Sequence, residues 1–483
     1  MLRAFVFLNH PIALFMKSIL IITAFLISSL ASFSQKLKSA KSLTAAFSTA
    51  AKSGKPVFLI INTPTIDHLK KLPENAKVDF TSALDDKEVI SKVEENFVVF
   101  NTTMVDTSVR SIMRSGNIKQ FPAYIFLRSN REIFFSESAN STDKNRYFSM
   151  IERAKAAFKE KSISDLEKDA QQKGDAATLK KLIDARKKIG ITNNADLIEQ
   201  YVGNLKISDF NNYDNVVYIL EAGPYADGTA YRLAYTNRKL VDSIYKTEPQ
   251  YKRVAFNNAI ISNTMIAAAK DKNLNKAMAG ANFARSTWSR DYRGADKSYN
   301  NQMLWYYSTV KDTASYLRTA AYFYDNHYMN IGADSIKKIE QRNHTVNSKN
   351  QSLQLGAKKM VSKEKMDSLM KLPGIKMVTS SIVSISSSGT NYANELNNAA
   401  WKFYEIGTKN INYLTKAMLW SRRSIELNPI SGYYDTLAHI LYRIGYFEEA
   451  IKTQETAIEK AKKEQISTTN FERELKKIKA RTL

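Results

Sequence analysis

Two short apolar runs constrain the fold of this 483-residue chain more than any other feature. The first, Lys55–Ile61, ends in five consecutive aliphatic or aromatic residues, and the second, Ala123–Leu127, directly follows Pro122. Runs without alternating polar residues are typical of strands buried on both faces of a sheet. A proline at the first residue of a strand is tolerated, because its missing N–H does least harm there. The sequence therefore predicts a buried sheet in the N-terminal part of the chain.

The segments around these runs predict helices that cover the sheet. Lys36–Ser53 has apolar residues at helical spacing and stops before Gly54, a residue that commonly ends helices. Thr142–Lys159 also has apolar residues at helical spacing. The segments on either side of the two runs are therefore predicted to be helical.

The same segments resemble a thioredoxin-like domain. Gly54–Ile61 is similar to the central strand of that family, and Phe121–Leu127 to the strand that opens with its cis-proline. Asp85–Phe100 is similar to its next helix and strand, and Thr142–Lys159 to its closing helix. The resemblance implies one α/β domain over residues 36–160. The resemblance implies that the Phe121–Pro122 peptide bond is cis. It also implies a groove in which relatives that act on proteins hold an extended peptide by backbone hydrogen bonds, bordered here by Phe121, Pro122 and Ala123.

The chain departs from the family at the redox motif. The family places Cys-x-x-Cys at the helix start after the central strand, whereas here Ile66 and Leu69 take those positions, with Asp67 and His68 between them. The whole chain has no cysteine. Dithiol exchange requires an attacking thiolate and a second thiol to resolve the mixed disulfide. We therefore predict a protein that keeps the fold and lacks the redox activity.

Asp67 and His68 leave one catalytic alternative open. A carboxylate at a helix start also has a structural role, because it accepts hydrogen bonds from free N–H groups and favours the positive end of the helix dipole. The pair lacks an identifiable nucleophile and oxyanion donor. An enzyme based on these two residues is the less favoured alternative, and no catalytic residue or cofactor is assigned.

The composition argues for a globular chain without a metal centre. The apolar fraction of 44% is that of ordinary globular proteins, so a large core is expected. The five histidines are scattered and form no pair at ligand spacing, and cysteine ligands are absent. We therefore predict no metal site.

The formal net charge of +24 favours acidic partners such as anionic lipid, polysaccharide or nucleic acid. The basic residues are spread along the chain with acidic residues between them, as around Lys180–Lys181 and Lys187–Lys188. No basic stripe or recognition motif is visible in the sequence, so nucleic-acid binding is not expected. An acidic partner of another kind remains open.

Residues 1–34 have the features of a targeting segment. A short apolar run, Ile19–Leu30, is followed by small residues that predict signal-peptide cleavage near Ser34, with Met16 as an alternative start. The run is shorter than the roughly 20 residues that a spanning helix needs, although Leu2–Phe15 would lengthen it into an uncleaved anchor. We expect an exported protein, periplasmic in a Gram-negative bacterium or secreted, whose mature chain has no transmembrane segment.

Residues 161–341 show helical periodicity throughout, with predicted breaks at Gly190, Gly223-Pro224, Pro249 and Gly294. Paired helices of similar length suggest a solenoid-like region. The region is rich in aromatic residues, which we interpret as core between stacked helices, with a ligand groove as the alternative. These residues are Trp288, Tyr292, Tyr299, Trp305, Tyr306, Tyr307, Tyr322, Phe323, Tyr324 and Tyr328.

Residues 342–392 are polar, and Thr379–Gly389 is rich in serine. This composition is typical of a linker or an insertion. The serines have no histidine and aspartate partners at catalytic spacing, so a serine nucleophile is not expected.

Residues 393–483 contain the clearest repeat. Ala417 and Ala450 lie 33 residues apart, close to the tetratricopeptide period of about 34 residues. The segment resembles a pair of tetratricopeptide repeats, in which small residues let paired helices approach and large ones fill the remaining space. The residues assigned to this packing are Trp401, Ala417, Pro429, Tyr434, Gly445, Ala450 and Ala457.

The sequence thus predicts an α+β multidomain protein, with a thioredoxin-like α/β domain followed by an all-α helical-repeat region. Its favoured function is binding of proteins or peptides, as a scaffold or in a chaperone-like role, without dithiol exchange. The alternative is a structural component of envelope assembly in which the N-terminal domain serves only for packing.

Overall fold

The computed structural model describes residues 37–63, 82–288, 291–332, 334–339, 341, 380–381, 383–384 and 391–483. The described residues form two compact units. The first runs to Ser162 and includes 380–381 and 383–384, and the second contains the remainder. The first unit is built on a small mixed sheet, and the described part of the second is helical. The predicted α+β class, with its N-terminal sheet and helical remainder, is therefore confirmed.

The sheet of the first unit has four strands in the order β2-β1-β4-β5. β1 is parallel to β2 and antiparallel to β4, and β4 is antiparallel to β5. The strands of this unit are β1 Val57–Asn62, β2 Val98–Thr103, β3 Gln120–Phe121, β4 Ala123–Leu127, β5 Ile133–Ser138, β6 Asn140–Ser141, β7 Ser380–Ser381 and β8 Val383–Ser384.

The central position of β1 explains its continuous apolar sequence. Every residue from Val57 to Ile61 is buried, because successive side chains point to opposite faces and both faces are covered. On one face Phe58 stacks on Phe126 of β4, with ring centroids 4.5 Å apart. These two rings lie in the main apolar cluster of the unit.

Helices cover this sheet as the sequence predicts, with one boundary moved. α1 begins at Leu43 and not at Lys36, because Ser42 caps it by accepting the N–H of Ala45 at 3.1 Å. It ends at Gly54, whose φ of 71° favours glycine. The helices of the first unit are α1 Leu43–Ser53, α2 Lys87–Asn96, α3 Arg110–Ser115 and α4 Lys144–Lys159.

The second unit is a series of helices in which neighbours along the chain pack against each other. Its first part contains α5 Ile163–Lys173, α6 Ala176–Lys188, α7 Ala195–Gly203, α8 Tyr213–Ala222, α9 Thr229–Ala234, α10 Arg238–Thr247, α11 Gln250–Lys270, α12 Leu274–Ser286, α13 Tyr292–Val310 and α14 Thr313–Tyr324, continued by a π-helical turn over Asp325–Met329. Its last part contains α15 Tyr392–Ile406, α16 Ile411–Leu427, α17 Ser431–Ile444, α18 Phe447–Lys463 and α19 Thr469–Ala480.

Asparagine and aspartate caps determine where many of these helices begin. In each case the side chain accepts a backbone N–H of the first turn, which would otherwise have no partner. The predicted break at Gly294 is wrong for this reason: Asp291 caps α13 by accepting the N–H of Gly294 at 2.9 Å, so the glycine lies inside the first turn. The capping residues are Asp175, Asn212, Asn237, Asn273, Asp291, Asp312, Asn391 and Asn410.

Within the described ranges, none of the helices combines the length and the apolar character required to cross a bilayer. This agrees with the predicted absence of a transmembrane segment from the same part of the chain. The predicted signal segment, residues 1–34, lies outside the described residues.

Candidate functional site

The groove residues suggested by the resemblance lie where β3 meets β4. Phe121 and Ala123 are each only 1% exposed, and Pro122 between them is half-buried. The Phe121–Pro122 peptide bond is cis, as the resemblance implies. The carbonyl of Pro122 accepts the N–H of Ala139 at 3.1 Å, which ties the start of β4 to the connection between β5 and β6. The three residues therefore form the junction between β3 and β4.

A stretch of the serine-rich segment pairs with this part of the first unit. β8 runs antiparallel to β3, with Phe121 opposite Val383. β7 runs antiparallel to β6, with Asn140 opposite Ser381. Main-chain N–H and C=O groups are the hydrogen-bonding groups of such ladders. We call β3 and β6 the strand edge, because together they accept an extended chain that is distant in sequence.

The hydroxyl of Tyr147 on α4 organises the β6 side of the strand edge. It donates to Asn140 Oδ1 at 2.9 Å and accepts the N–H of Ser141 at 3.2 Å. The hydroxyl oxygens of Ser82 and Tyr124 lie 2.9 and 3.2 Å from the hydroxyl oxygen of Tyr147. Tyr147 is completely buried, so removing this hydroxyl would deprive several buried polar groups of a partner.

The Tyr124 hydroxyl serves as a neutral hydrogen-bonding group. Burial raises the pKa of Tyr124 far above its ordinary value, and the neighbouring Tyr147 raises it further. Tyr124 therefore stays protonated at physiological pH. The guanidinium of Arg146 completes the support, since it donates to the carbonyls of Ser138 at 2.6 Å and Ala139 at 2.5 Å.

The strand edge offers main-chain hydrogen bonds and no evident reacting group. The chain has no thiol for exchange chemistry. In the part of the chain that the structure describes, no group of three or more His, Asp or Glu side chains could hold a metal ion. The degenerate redox positions Ile66, Asp67, His68 and Leu69 lie outside the described residues.

The residues assigned to repeat packing behave in different ways. Ala417, Ala450 and Ala457 are completely buried where helices approach each other, and Gly445 ends α17 with a φ of 104°. Pro429, by contrast, is exposed in the connection between α16 and α17, so it separates the two helices and does not pack between them.

The other two residues of that set, Trp401 and Tyr434, are half-buried. The indole N–H of Trp401 donates to Glu405 Oε1 at 3.0 Å on the surface of α15. The ring that fills the space between helices is that of Trp420, which is completely buried and packs against Phe403 with centroids 4.9 Å apart.

A buried polar cluster near the C-terminal helices was missed by sequence reasoning. His439 is 3% exposed, packs between the rings of Trp401 and Tyr404, and donates from Nδ1 to the carbonyl of Asp435 at 2.8 Å. Burial raises the pKa of the Asp435 carboxyl, partly offset by His439 and by a hydrogen bond from Gln454 at 2.7 Å. The available signal was the four-residue spacing of Asp435 and His439 on one helix face.

This cluster borders a cavity of about 650 Å³ but is explained by packing. The second ring nitrogen of His439 faces Glu474 of α19 at 3.6 Å, and Glu474 is paired with Lys477 at 3.0 Å. Both sides of the imidazole therefore face groups of the chain itself. The cluster joins α17, α18 and α19, and we assign it no catalytic role.

The aromatic residues singled out in the predicted solenoid-like region, residues 161–341, include a buried and an exposed set. Tyr306, Phe323 and Tyr328 are buried, as predicted for core residues. The core interpretation is wrong for the exposed set, which consists of Trp288 (47% exposed), Tyr292 (91%), Trp305 (42%) and Tyr322 (54%). Whether an aromatic residue on a helix is buried depends on which face meets a neighbour, and periodicity alone does not decide this.

In comparisons with known proteins, no protein-family model, curated protein or solved structure matches the chain.

Proposed function

We propose that this chain is an exported binding protein that holds extended polypeptide segments at the strand edge through main-chain hydrogen bonds. In this proposal the first unit is a thioredoxin-like domain without dithiol chemistry, and the C-terminal helices are tetratricopeptide-like repeats. The partner is a protein or peptide. Because recognition through the main chain tolerates many sequences, a scaffold or chaperone-like role follows.

Two features of the fold support these assignments. The strand order β2-β1-β4-β5, with β1 parallel to β2 and Pro122 directly before β4, fits the resemblance on which the first assignment rests. Among the C-terminal helices, α15 packs on α16, α16 on α17 and α17 on α18, with the small Ala417 and Ala450 buried at these contacts. Helical hairpins of this kind are what a tetratricopeptide-like pair requires.

The single observation that carries the binding proposal is the pairing of β7 and β8 with the strand edge. An extended segment adds itself to existing strands here, which is the geometry of peptide binding by strand addition. A bound client would take the place of this internal segment. The internal segment is therefore the natural competitor in a binding measurement.

The same observation favours a second candidate, a structural component. If β7 and β8 are a permanent part of the first unit, the strand edge is filled and serves only for packing. The two candidates differ in one property, which is whether the first unit keeps its fold when β8 is detached.

The test uses the full chain with Val383→Pro and Ser384→Pro, which remove both amide hydrogens of β8. A fluorescent peptide with the native sequence of residues 376–388 is titrated into this variant and into the wild type. We expect the variant to keep its circular dichroism spectrum and to bind the peptide at least about tenfold more tightly than the wild type. The control peptide carries the same two prolines and should not bind.

Other outcomes distinguish the candidates. A variant that loses the β-sheet contribution to its circular dichroism spectrum and binds no peptide would support the structural component. A variant that remains folded but binds the native and proline peptides equally would contradict strand addition.

A further inference from the structure

The second unit contains a cleft of about 880 Å³ between α11 and α13, closed at one end by the turn that follows α12. One face of α11 forms a wall, including Asn258 and Ser262, which lie four residues apart. The opposite wall is α13, with Ser298, Gln302 and Trp305 at helical spacing, and Trp288 comes from the turn. The volume lies within the range of about 300–1,000 Å³ typical of small-molecule sites.

Two exposed indole rings are the most unusual feature of this cleft. Trp288 is 47% exposed and Trp305 42% exposed, although tryptophan is on average a highly buried residue. Trp288 is held against the start of α13: a Cβ added at Gly294 would lie only 2.5 Å from its ring atom Cε3. The same Cβ would lie 2.6 Å from Asp291 Oδ2, so the glycine makes room both for the indole and for the carboxylate that caps α13.

The base of the cleft is closely packed. Met265 on α11 is 2% exposed and belongs to an apolar cluster with Ala277 of α12 and Met303 of α13. α11 and α12 approach so closely that a Cβ added at Gly280 would lie 2.9 Å from Met265 Sδ. A well-packed base of this kind holds both walls in place.

Among the described residues, no charged side chain lines this cleft, although 24% of the residues in the chain are charged. Three cations on neighbouring turns are bound elsewhere. Lys252 pairs with Glu221 at 3.0 Å, Arg253 donates to the carbonyl of Tyr245 at 2.7 Å, and the guanidinium of Arg285 stacks on a tyrosine ring. The described lining offers no counter-charge to a charged ligand, and this favours a neutral one.

The polar side chains of the cleft are amides and hydroxyls that keep their hydrogen-bonding capacity. Among the described residues, Asn258, Ser262 and Gln302 have no side-chain hydrogen-bond partner, whereas Asn257 accepts from Tyr245 at 2.7 Å. An amide side chain both donates and accepts, as a ligand hydroxyl does. The cleft thus combines flat aromatic faces with paired donors and acceptors.

We propose that this cleft binds a neutral oligosaccharide. The C–H faces of the sugar rings would lie on Trp288 and Trp305, whose π faces carry partial negative charge, and the hydroxyls would bond to Asn258, Ser262 and Gln302. A polypeptide fits less well, because the backbone of α11 and α13 is paired within the helices and offers no strand edge. This site is independent of the strand edge and of the function proposed for it.

The test is isothermal titration of the full chain with a panel of neutral tetrasaccharides: malto-, cello-, xylo-, manno- and laminaritetraose, and fully N-acetylated chitotetraose. We expect at least one to bind with a dissociation constant below about 1 mM and to change tryptophan fluorescence. Trp288→Ala and Trp305→Ala should each weaken that binding at least about tenfold, and Gln302→Ala by a smaller factor. The matched control is Tyr322→Ala, which removes an aromatic ring outside the cleft that is 54% exposed.

Gly294→Ala would displace the Trp288 ring without removing any lining group, and it should also weaken binding. Because the new methyl group would also meet Asp291 Oδ2, circular dichroism must show that α13 is kept. Absence of binding by every sugar in the panel would overturn the proposal. So would a neutral peptide that competes for the cleft and loses its affinity in Trp288→Ala, since this would assign the site to polypeptide. Loss of sugar binding in Tyr322→Ala to the same degree would show that the effect does not come from the cleft.

Discussion

The two units of this chain bury their apolar residues in different ways. In the first unit, Phe58, Tyr124 and Phe126 belong to one cluster that covers a face of the sheet. In the second, the buried residues form separate clusters along the helix series, one around Ile260 and another around Trp420. A change in the sheet therefore affects a whole unit, whereas in stacked helices each element depends mainly on its neighbours.

The units also differ in the groups that they offer to a ligand. A strand edge presents main-chain N–H and C=O groups, which recognise the extended shape of a chain more than its side chains. Helices pair their own main chain, so a site between them is made of side chains and can be chemically selective. Under the two proposals above, one chain combines a tolerant surface with a selective cleft.

The largest expected effect is on the sheet core. Phe126→Ala removes a completely buried ring that stacks on Phe58, and it should reduce the free energy of unfolding of the first unit by about 3–5 kcal/mol. Hydrogen exchange followed by mass spectrometry should show loss of protection throughout β1 and β4, with α11 to α13 unchanged. The matched control, Phe148→Ala, removes a half-buried ring and should cost less. Equal loss of protection in α11 to α13 would contradict the contrast between the units.

The sheet core was the most predictable part of the molecule. Continuous apolar runs have few alternatives in a globular chain, so Val57–Ile61 and Ala123–Leu127 identified the central strands directly. Helix starts were also readable where Asn or Asp precedes a periodic segment, as at Asp175. Gly294 was misread because a glycine can serve close packing as well as a break, and here it accommodates Trp288.

The candidate sites were only partly predictable, because both depend on contacts between distant segments. Phe121–Ala123 could be identified from a resemblance, but a serine-rich segment gives no sign that it will pair with β3. Trp288 and Trp420 look alike in the sequence, and only the packing of neighbouring helices exposes the first and buries the second. Periodicity identifies a helix but not the partner of each face.

The next effect concerns a local contact in the helical unit. Trp420 is completely buried, and its indole N–H donates to Asp325 Oδ1 at 2.8 Å. Trp420→Phe should cost about 2–4 kcal/mol, from lost volume and from a carboxylate that keeps only its pairing with Lys416. Urea unfolding followed by far-ultraviolet circular dichroism measures this change. The control is Trp401→Phe, which removes a half-exposed indole and should reduce the free energy of unfolding by less than about 1 kcal/mol. Similar reductions for both variants would contradict a stabilising role for the hydrogen bond from Trp420 to Asp325.

A smaller effect is expected at the strand edge. Tyr147→Phe removes the hydroxyl that accepts the N–H of Ser141, and should cost about 1–3 kcal/mol. Because Ser141 belongs to β6, its amide should also exchange faster with solvent. The control Tyr124→Phe removes a hydroxyl that contacts the same network at one point and should have less effect. Unchanged exchange at Ser141 in Tyr147→Phe would show that the hydroxyl does not organise the edge.

The smallest expected effect is a pH dependence of stability, which should have opposite signs at two aspartates of the helical unit. Burial raises the pKa of Asp435 above 3.8, so the folded protein holds this proton at pH values where the unfolded chain has released it. As the pH rises from 3.8 through the raised pKa, the wild type must ionise a buried carboxyl and loses stability relative to Asp435→Asn. Asparagine can still accept the hydrogen bond from Gln454, so the contact is kept in the variant.

Asp175 provides the matched control with the reverse sign. Hydrogen bonds from the backbone and side chain of Thr178 lower its pKa below 3.8. The stabilisation by the ionised Asp175 is therefore complete above pH 3.8 and is lost as the pH falls through the lowered pKa. Between the lowered pKa and pH 3.8, a rise in pH should stabilise the wild type relative to Asp175→Asn. Urea midpoints measured for both pairs from pH 3 upward would give slopes of opposite sign. Slopes of the same sign would mean that Asp435 is solvated like a surface carboxylate and that the cluster around His439 is open to water.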